Sequence, residues 1–231
     1  KLTLSRRGLL SAGVVLSVSP IVSGANAQEK KTGLVPEKWD LTTEVLVVGS
    51  GGAGLASAVS AAEAGAKVTV IEKLAFVGGN TMISSGYFNA VDPERQKKQG
   101  IEDSIEKHIQ QTLAGGDGRA DPELVRILCT NALGTLHWLE GMGLKFRPDV
   151  MQVYGALWPR SHLATEPKGT GFIRVLSDKC KALGVDILTG TKLEKIIREN
   201  FDEGRALGVL AIRNGQQQRQ LRHCPDCSCR S

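Results

Sequence analysis

Glu44-Val45-Leu46-Val47-Val48-Gly49-Ser50-Gly51-Gly52-Ala53-Gly54 opens the stretch that decides the fold, and Lys67-Val68-Thr69-Val70-Ile71-Glu72 closes it. The first apolar run does not alternate with polar residues, the pattern of a strand covered on both faces. It runs into a G-x-G-x-x-G turn at Gly49, Gly51 and Gly54. Leu55 to Ala64 is rich in Ala and Leu and predicts a helix capped by Gly65. A second apolar strand follows and ends on the acid Glu72. The glycine turn alone is weak evidence. Strand, turn, small-residue helix, strand and terminal acid within about thirty residues make a βαβ unit of the dinucleotide-binding type. In such a unit Gly49 makes the tight turn, Gly51 lets the backbone approach a pyrophosphate, and Gly54 lets helix and strand pack closely. The diphosphate rests on the helix N-terminus, whose unpaired N–H groups and dipole favour negative charge. Glu72 would accept hydrogen bonds from a ribose diol, which selects an adenosine without a 2′-phosphate. The competing reading is a glycine turn that merely packs.

The rest of the chain bounds the class of protein. Of 231 residues, 41% are hydrophobic and 23% charged, an ordinary globular composition. Formal net charge is +5, but it sits at the ends. Lys1, Arg6 and Arg7 stand without an acid before residue 28, and Arg219, Arg222 and Arg230 face only Asp226 after residue 215. The body between is neutral, so no nucleic-acid partner follows from the basic pI. Ser5-Arg6-Arg7-Gly8-Leu9-Leu10, an apolar run from Ala12 to Val22, and Ala25-Asn26-Ala27 read as an export signal cleaved after Ala27. The apolar run holds Ser17, Ser19 and Pro20, too short and polar for a stable membrane span. The paired arginines resemble a twin-arginine signal, which implies the Tat translocase as a partner and a periplasmic destination for a protein exported folded. A general secretory signal with two chance arginines is the alternative. Cys129 and Cys180 are the two cysteines before residue 222 and do not form a secreted disulfide framework.

After Glu72 the chain reads Lys73 to Val77, Gly78-Gly79-Asn80-Thr81 and Ile83-Ser84-Ser85-Gly86-Tyr87-Phe88-Asn89-Ala90. Here it resembles the FAD-dependent oxidoreductase 2 family: fumarate reductases, flavocytochromes c and urocanate reductase-like flavoproteins. Their string E-K-x-x-x-x-G-G-N-[TS]-x-x-[SA]-[SA]-G-G-x-N-A matches at every key position except Tyr87, where the family usually has glycine. The resemblance implies FAD as cofactor. It gives the diphosphate to Gly49, Ser50, Gly51, Gly52, Ala53 and Gly54, and the adenosine ribose to Glu72 with Lys73 beside it. Gly79, Asn80 and Thr81 would meet the diphosphate and ribityl region. Ser85 and Gly86 would reach the isoalloxazine edge, and Leu193 would contribute a backbone contact. The implied activity is reduction of an activated C=C bond in a small unsaturated carboxylate such as fumarate, urocanate or methacrylate. Hydride would pass from flavin N5, with electrons from a separate donor such as a cytochrome c or quinol-linked protein.

Downstream, Ile101, Ile105, Ile109 and Leu113 predict one face of a helix. Asp121-Pro122-Glu123 starts another, with Leu124, Ile127, Leu128, Leu136 and Leu139 as its buried stripe. His108 and His137 on these helices read as ordinary core or surface histidines. Trp158-Pro159-Arg160-Ser161-His162 reads as a loop on the cofactor side, with two readings of His162: a residue near the catalytic site, or a capped structural histidine of the loop. Phe172, Val175, Leu176, Cys180 and Leu183 predict a further helix. Val185-Leu188 reads as a strand, and Lys192–Arg198 with Arg205–Arg213 as a hairpin.

The expected fold is α/β: a Rossmann-like FAD-binding domain with a parallel sheet and a β-hairpin, incomplete and without a capping domain. The expected boundaries are a signal peptide at 1–27, a linker at 28–40, a partial FAD-binding domain at 41–215 and an aberrant tail at 216–231. In the tail, Cys224, Cys227 and Cys229 have the spacing of a zinc or iron–sulfur ligand set. A haem site is excluded because Ser228 follows Cys227. A reading-frame slip near His223 is the preferred account, so no metal site is assigned. The chain as it stands is expected neither to retain FAD tightly nor to turn over. The alternative function is a FAD-binding or metal-tailed protein without catalysis.

Overall fold

The structure, a computed structural model, describes residues 35–200 and 203–215 together with the backbone of 217–223. The expected signal peptide and the Cys224–Cys229 cluster lie outside the described residues.

The βαβ unit folds as its pattern predicts. β2 (Val45–Val48) follows a short β1 (Leu41–Thr43) and leads through the glycine turn into α1 (Gly52–Glu63) and then β3 (Val68–Ile71). The helix begins at Gly52, three residues before Leu55, and Gly65 at φ +89° turns the chain out of it. β2 and β3 pair in parallel, Val45 with Val68 through Val48 with Ile71. β3 is buried along its whole length, whereas β2 is only half-buried and its Val48 is 51% exposed. β7 (Asp186–Leu188) adds to the far side of β3, again in parallel, giving the order β2-β3-β7.

Between β3 and β7 lies an insertion with its own small sheet. A one-turn helix, α2 (Gly79–Ile83), precedes β4 (Tyr87–Asn89) and α3 (Pro93–Lys98). Then come α4 (Ile105–Gly115), α5 (Pro122–Gly141), β5 (Phe146–Met151) and β6 (Ser161–Ala164), and α6 (Thr170–Ala182) returns the chain. β4, β6 and β5 pair antiparallel in that order. Ser104 caps α4 through Lys107 N–H, so the helix starts at Ile105 and leaves Ile101 outside it. Asp121 caps α5 and Pro122 is its first residue, as predicted.

The stripe on α5 is half corrected. Leu136 and Leu139 are buried, but Leu124, Ile127 and Leu128 are 65%, 53% and 63% exposed. Val125, Cys129 and Ala132 point inward in their place. The core proper joins α1, α5 and α6 over the parallel sheet: Leu55, Ala58 and Val59 meet Val175, Leu176 and Cys180. Burying such side chains contributes roughly 1.5–3 kcal/mol each. Phe88, Phe146 and Phe172 fill the junction with the small sheet at ring-centroid distances of 5.9–6.5 Å.

The last strands form a third sheet. β8 (Thr191–Asn200) and β9 (Glu203–Arg213) make the predicted antiparallel pair, and β10 (Gln217–His223) continues it. β10 then pairs in parallel with β1, Leu41 opposite Leu221, for the order β1-β10-β9-β8. The sheet thus runs past residue 215 to 223, and β9 is an interior strand between β8 and β10.

Candidate dinucleotide-binding site

The glycine turn does three separable jobs, and the structure distinguishes them. Gly49 has φ +96°, a conformation that L side chains resist, and its N–H donates to Ile71 O at 2.8 Å. Gly54 is required by packing, since a Cβ there would run into the Gly49 carbonyl and come within 3.5 Å of Val47 Cγ1. Gly51 is required by neither. Its φ is −70° and ψ 178°, and a Cβ on it would meet nothing nearer than Gly78 O at 3.9 Å and Thr81 Oγ1 at 4.0 Å. The protein's own fold would accept alanine at 51. A glycine kept where the chain has room is the mark of a backbone that something else approaches closely, and this fits a diphosphate.

Helix α1 presents an N-terminus with no acidic partner to that space. Its first turn carries no acid and its N-cap gives no side-chain bond. Thr81 Oγ1 accepts the Gly52 N–H at 3.0 Å, tying α2 to the turn. Gly78 N–H donates to Ser50 O at 3.0 Å and completes the clasp. Gly79, at φ +49°, lies against Gly51, its Cβ position 3.5 Å from Gly51 Cα. Gly49 to Gly54, Gly79 and Thr81 are thus brought together as predicted, and Asn80 is carried on α2 between them.

Glu72 stands at the end of β3 and is 6% exposed. Its Oε2 accepts Ser50 N–H at 2.9 Å and Ser50 Oγ–H at 2.7 Å, and its Oε1 accepts Leu74 N–H at 2.8 Å. Burial alone would push this carboxyl up. The bonds from Leu74 and Ser50 outweigh burial and hold it below the ordinary carboxylate value. Glu72 is therefore an anion that locks the glycine turn, and Oε1, with one bond, keeps acceptor capacity for a diol. The end of the strand also anchors the third sheet: Thr191 N–H donates to Glu72 O at 2.7 Å and Glu72 N–H to Leu188 O at 2.9 Å. That junction sets Leu193, which packs with Ile71, Val209 and Ala211, two residues along β8. Lys73 is exposed beside Glu72.

Next to the turn opens a groove of about 470 Å³. Gly52, Ala53, Thr81, Ser84 and Tyr87 form one wall; Leu128 and Trp138 of α5 stand across from them. It is apolar where it leaves the diphosphate end, which suits an aromatic ring system. Ser85 and Gly86 do not line it, and their neighbours Ser84 and Tyr87 do. Gly86 has a packing reason instead, because a Cβ would strike the Lys168 carbonyl. Gly169 seats the same loop, its Cβ position meeting the Thr81 carbonyl and Ser84 Oγ.

His162 is a correction. It lies on β6, not in a loop, is fully buried, and does not line the groove. Nδ1 is 3.2 Å from Phe88 O and Nε2 3.3 Å from Asp92 Oδ2. Burial pulls its pKa below the ordinary histidine value, against the Phe88 carbonyl and Asp92. A neutral ring donates one N–H and so bonds only one of these acceptors at a time. Asp92 in turn caps α3 and pairs with Arg95 at 2.8 Å, and Arg95 reaches Glu140 of α5. His162 braces β4 behind the groove. No local sequence signal announces the Arg95 link to α5, because its partner Glu140 lies 45 residues along the chain.

The FAD binding domain family matches residues 44–223 of the chain. The acrylate reductase flavoprotein subunit of Shewanella woodyi is 34% identical over 200 residues, 86% of this chain and 38% of that protein. Urocanate reductase of Eggerthella lenta is 36% identical over 186 residues, 80% of this chain and 30% of that one. Among solved structures, the open conformation of a flavocytochrome c3 fumarate reductase superposes with a TM-score of 0.73 at 32% identity, covering 80% of this chain and 32% of that chain. The chain spans roughly a third of the length of these relatives. With the glycine cradle, the buried acid and the matched span in agreement, the chain belongs to the FAD binding domain family.

Proposed function

We propose that this chain is the FAD-holding part of an oxidoreductase that reduces an activated C=C bond of a small unsaturated carboxylate. The observation that carries the FAD half is Gly51, a glycine that the fold does not need, at the N-cap of a helix whose first turn holds no acid, beside Glu72. The substrate class comes from the relatives, which are named for acrylate, urocanate and fumarate. Bound FAD would supply the hydride. The chain's residues bind and orient it: the amides of Ala53 and Gly54 face the diphosphate, Glu72 takes the ribose, and Asn80 and Thr81 hold the stretch between the phosphates and the ring. Ser84 and Tyr87 bound the ring end, and the apolar wall of α5 excludes water from it. No catalytic proton donor is assigned within this chain.

Electrons would reach the flavin from a separate donor of the cytochrome c or quinol-linked kind. Export through the Tat translocase to the periplasm belongs to the same proposal and rests on Arg6 and Arg7. Among the described residues no helix is long and apolar enough to cross a membrane.

The test is selective nucleotide binding by the 231-residue chain, titrated to concentrations that reach the weak, reversible binding expected of it. FAD and ADP should each bind saturably and compete, because both carry the adenosine diphosphate that the cradle is built for. FMN should not compete. FMN displacing FAD, or absence of saturable binding by both FAD and ADP, would overturn the reading.

A further inference from the structure

Beyond the dinucleotide groove, a second cavity of about 180 Å³ opens between α4 and the segment 155–160. Asn89, His108, Gln111, Thr112 and Arg160 supply its polar lining, and the Thr112 hydroxyl spends its proton on His108 O at 2.8 Å. Asn89, Gln111 and Arg160 offer it N–H groups, and the His108 ring beside them carries at least one N–H. Asn89 Oδ1 is taken by Ser161 Oγ–H at 2.6 Å, and Gln111 Oε1 by Arg160 Nη1 at 2.7 Å. Both amides therefore keep their NH2 ends for the cavity. Arg160 spends its Nε and Nη2 on Asp103, at 3.0 and 2.7 Å, which leaves guanidinium N–H groups over. His108 is 7% exposed and its Nδ1 is buried with no hydrogen-bond partner. A buried polar atom without a partner is costly and uncommon. Among the described residues no acidic side chain lines the space, and nearby Asp103 is taken by Arg160, Gln96 and the Ser104 N–H.

We propose that this cavity is a carboxylate-binding subsite, read by the amide groups of Asn89 and Gln111 together with Arg160 and His108. A ligand rich in acceptors and poor in donors is what such a lining satisfies. The volume is that of about six waters, room for a carboxylate with a short carbon chain. Its place suggests whose carboxylate it is. Tyr87 and Asn89 are alternate residues of β4 and share one face, about 7 Å apart. Tyr87 lines the dinucleotide groove and Asn89 lines this cavity. A molecule seated here lies one pleat from the ring end of the groove, next to where a substrate would lie. Assignment to the substrate rests on the proposed function; carboxylate binding does not.

Saturation-transfer NMR on the 231-residue chain, with acrylate, propionate and acrylamide as probes, tests it. Acrylate should bind saturably and shift the His108 ring protons, and neutral acrylamide should not. Gln111→Leu and His108→Met, each checked for an unchanged melting temperature, should weaken acrylate by about tenfold or more, the worth of a hydrogen bond to a charged group. Acrylate binding more tightly than propionate assigns the site to the substrate; equal binding assigns it to a free carboxylate, and in both cases the subsite stands. Acrylamide binding as well as acrylate, no saturable acrylate signal, or full affinity in both variants would overturn it. Flavin takes no part in this readout, so a failure of FAD binding leaves the result legible.

Discussion

Alanine at Gly51 and alanine at Gly54 should fail in opposite ways, and the contrast separates a cofactor cradle from a turn that only packs. At 54 the new methyl would press on the Gly49 carbonyl. That carbonyl cannot retreat, because Gly49 N–H is tied to Ile71 O at 2.8 Å and Ser50 is held on Glu72. Alanine gains about 1 kcal/mol in helix propensity. Overpacking against fixed backbone costs about 1–3 kcal/mol or more, so the sum is destabilising. For a domain of this size each kcal/mol moves the midpoint by about 2–4 °C, and Gly54→Ala should melt several degrees below the parent. At 51 the nearest atom to the methyl is 3.9 Å away and φ is −70°. The loss of glycine at an N-cap and the gain from a less flexible unfolded chain are each under about 1 kcal/mol and opposed. Gly51→Ala should therefore melt with the parent while its FAD affinity falls about tenfold or more, the same overpacking now falling on the ligand. Thermal melts without ligand and a flavin-fluorescence titration read the two effects separately. Parent-like FAD binding by Gly51→Ala would refute the cradle, and a parent-like melt for Gly54→Ala would refute the packing argument.

Glu72→Ala should weaken FAD by about 1–3 kcal/mol and also lower stability, because Ser50 N–H and Leu74 N–H lose their acceptor; a titration and a melt on one sample check both. Acid should destabilise the fold. Glu72, Asp92 and Asp103 are buried, which alone would raise them, yet hydrogen bonds hold all three below the ordinary carboxylate range. Depressed folded values mean stability that is fully present above the unfolded carboxylate value near 4 and is lost as pH falls through the lower folded values. Burial holds the His162 and His108 rings below the ordinary histidine value, so their share of stability is lost as pH falls below about 6.5. Melting midpoints that start to decline there and fall steeply below about 4 are expected, and a midpoint rising in acid would contradict the sign. Replacing Arg6 and Arg7 by lysine keeps the charge and changes the headgroup, so export should stop; fractionation that finds the double-lysine protein in the periplasm at parental level would favour a general secretory signal.

The βαβ unit was legible because its signals are local and mutually supporting: Val45–Val48, three glycines, a helix and Glu72 within one short stretch. The α5 stripe shows where periodicity stops. Leu124, Ile127 and Leu128 repeat at helical spacing, and so do Val125, Cys129 and Ala132 on the neighbouring face. Spacing says that a face exists; what packs on it is set by α4, whose Ile109 meets Val125 and Cys129. His162 looked like a loop residue because Trp158-Pro159 reads as a break. Its strand is made by Phe88 and Val150, partners remote in the chain. β10 is rich in glutamine and arginine and carries no apolar alternation to announce a strand. Pairing with β9 on one side and β1 on the other makes it one. At the candidate site the residues of the turn were readable, but Ser84 and Tyr87, in place of Ser85 and Gly86, line the groove because the Lys168 loop occupies the space beside Gly86.

The Cys180 thiol has a practical consequence. It is fully buried between α6 and α1, donates to Leu55 O at 3.8 Å, and is pushed by burial up to about 11. Alkylating reagents attack thiolates, so this sulfur reacts only in molecules whose α6 has lifted off the nucleotide-binding helix. Its labelling rate, read peptide by peptide by mass spectrometry, is thus a native clock for opening of the half-site, separate from global melting. A ligand that holds the closed form slows that clock by one plus the ratio of its concentration to Kd. Dinucleotide affinity can then be measured without any spectroscopic signal from the ligand, by the waiting time of one sulfur atom.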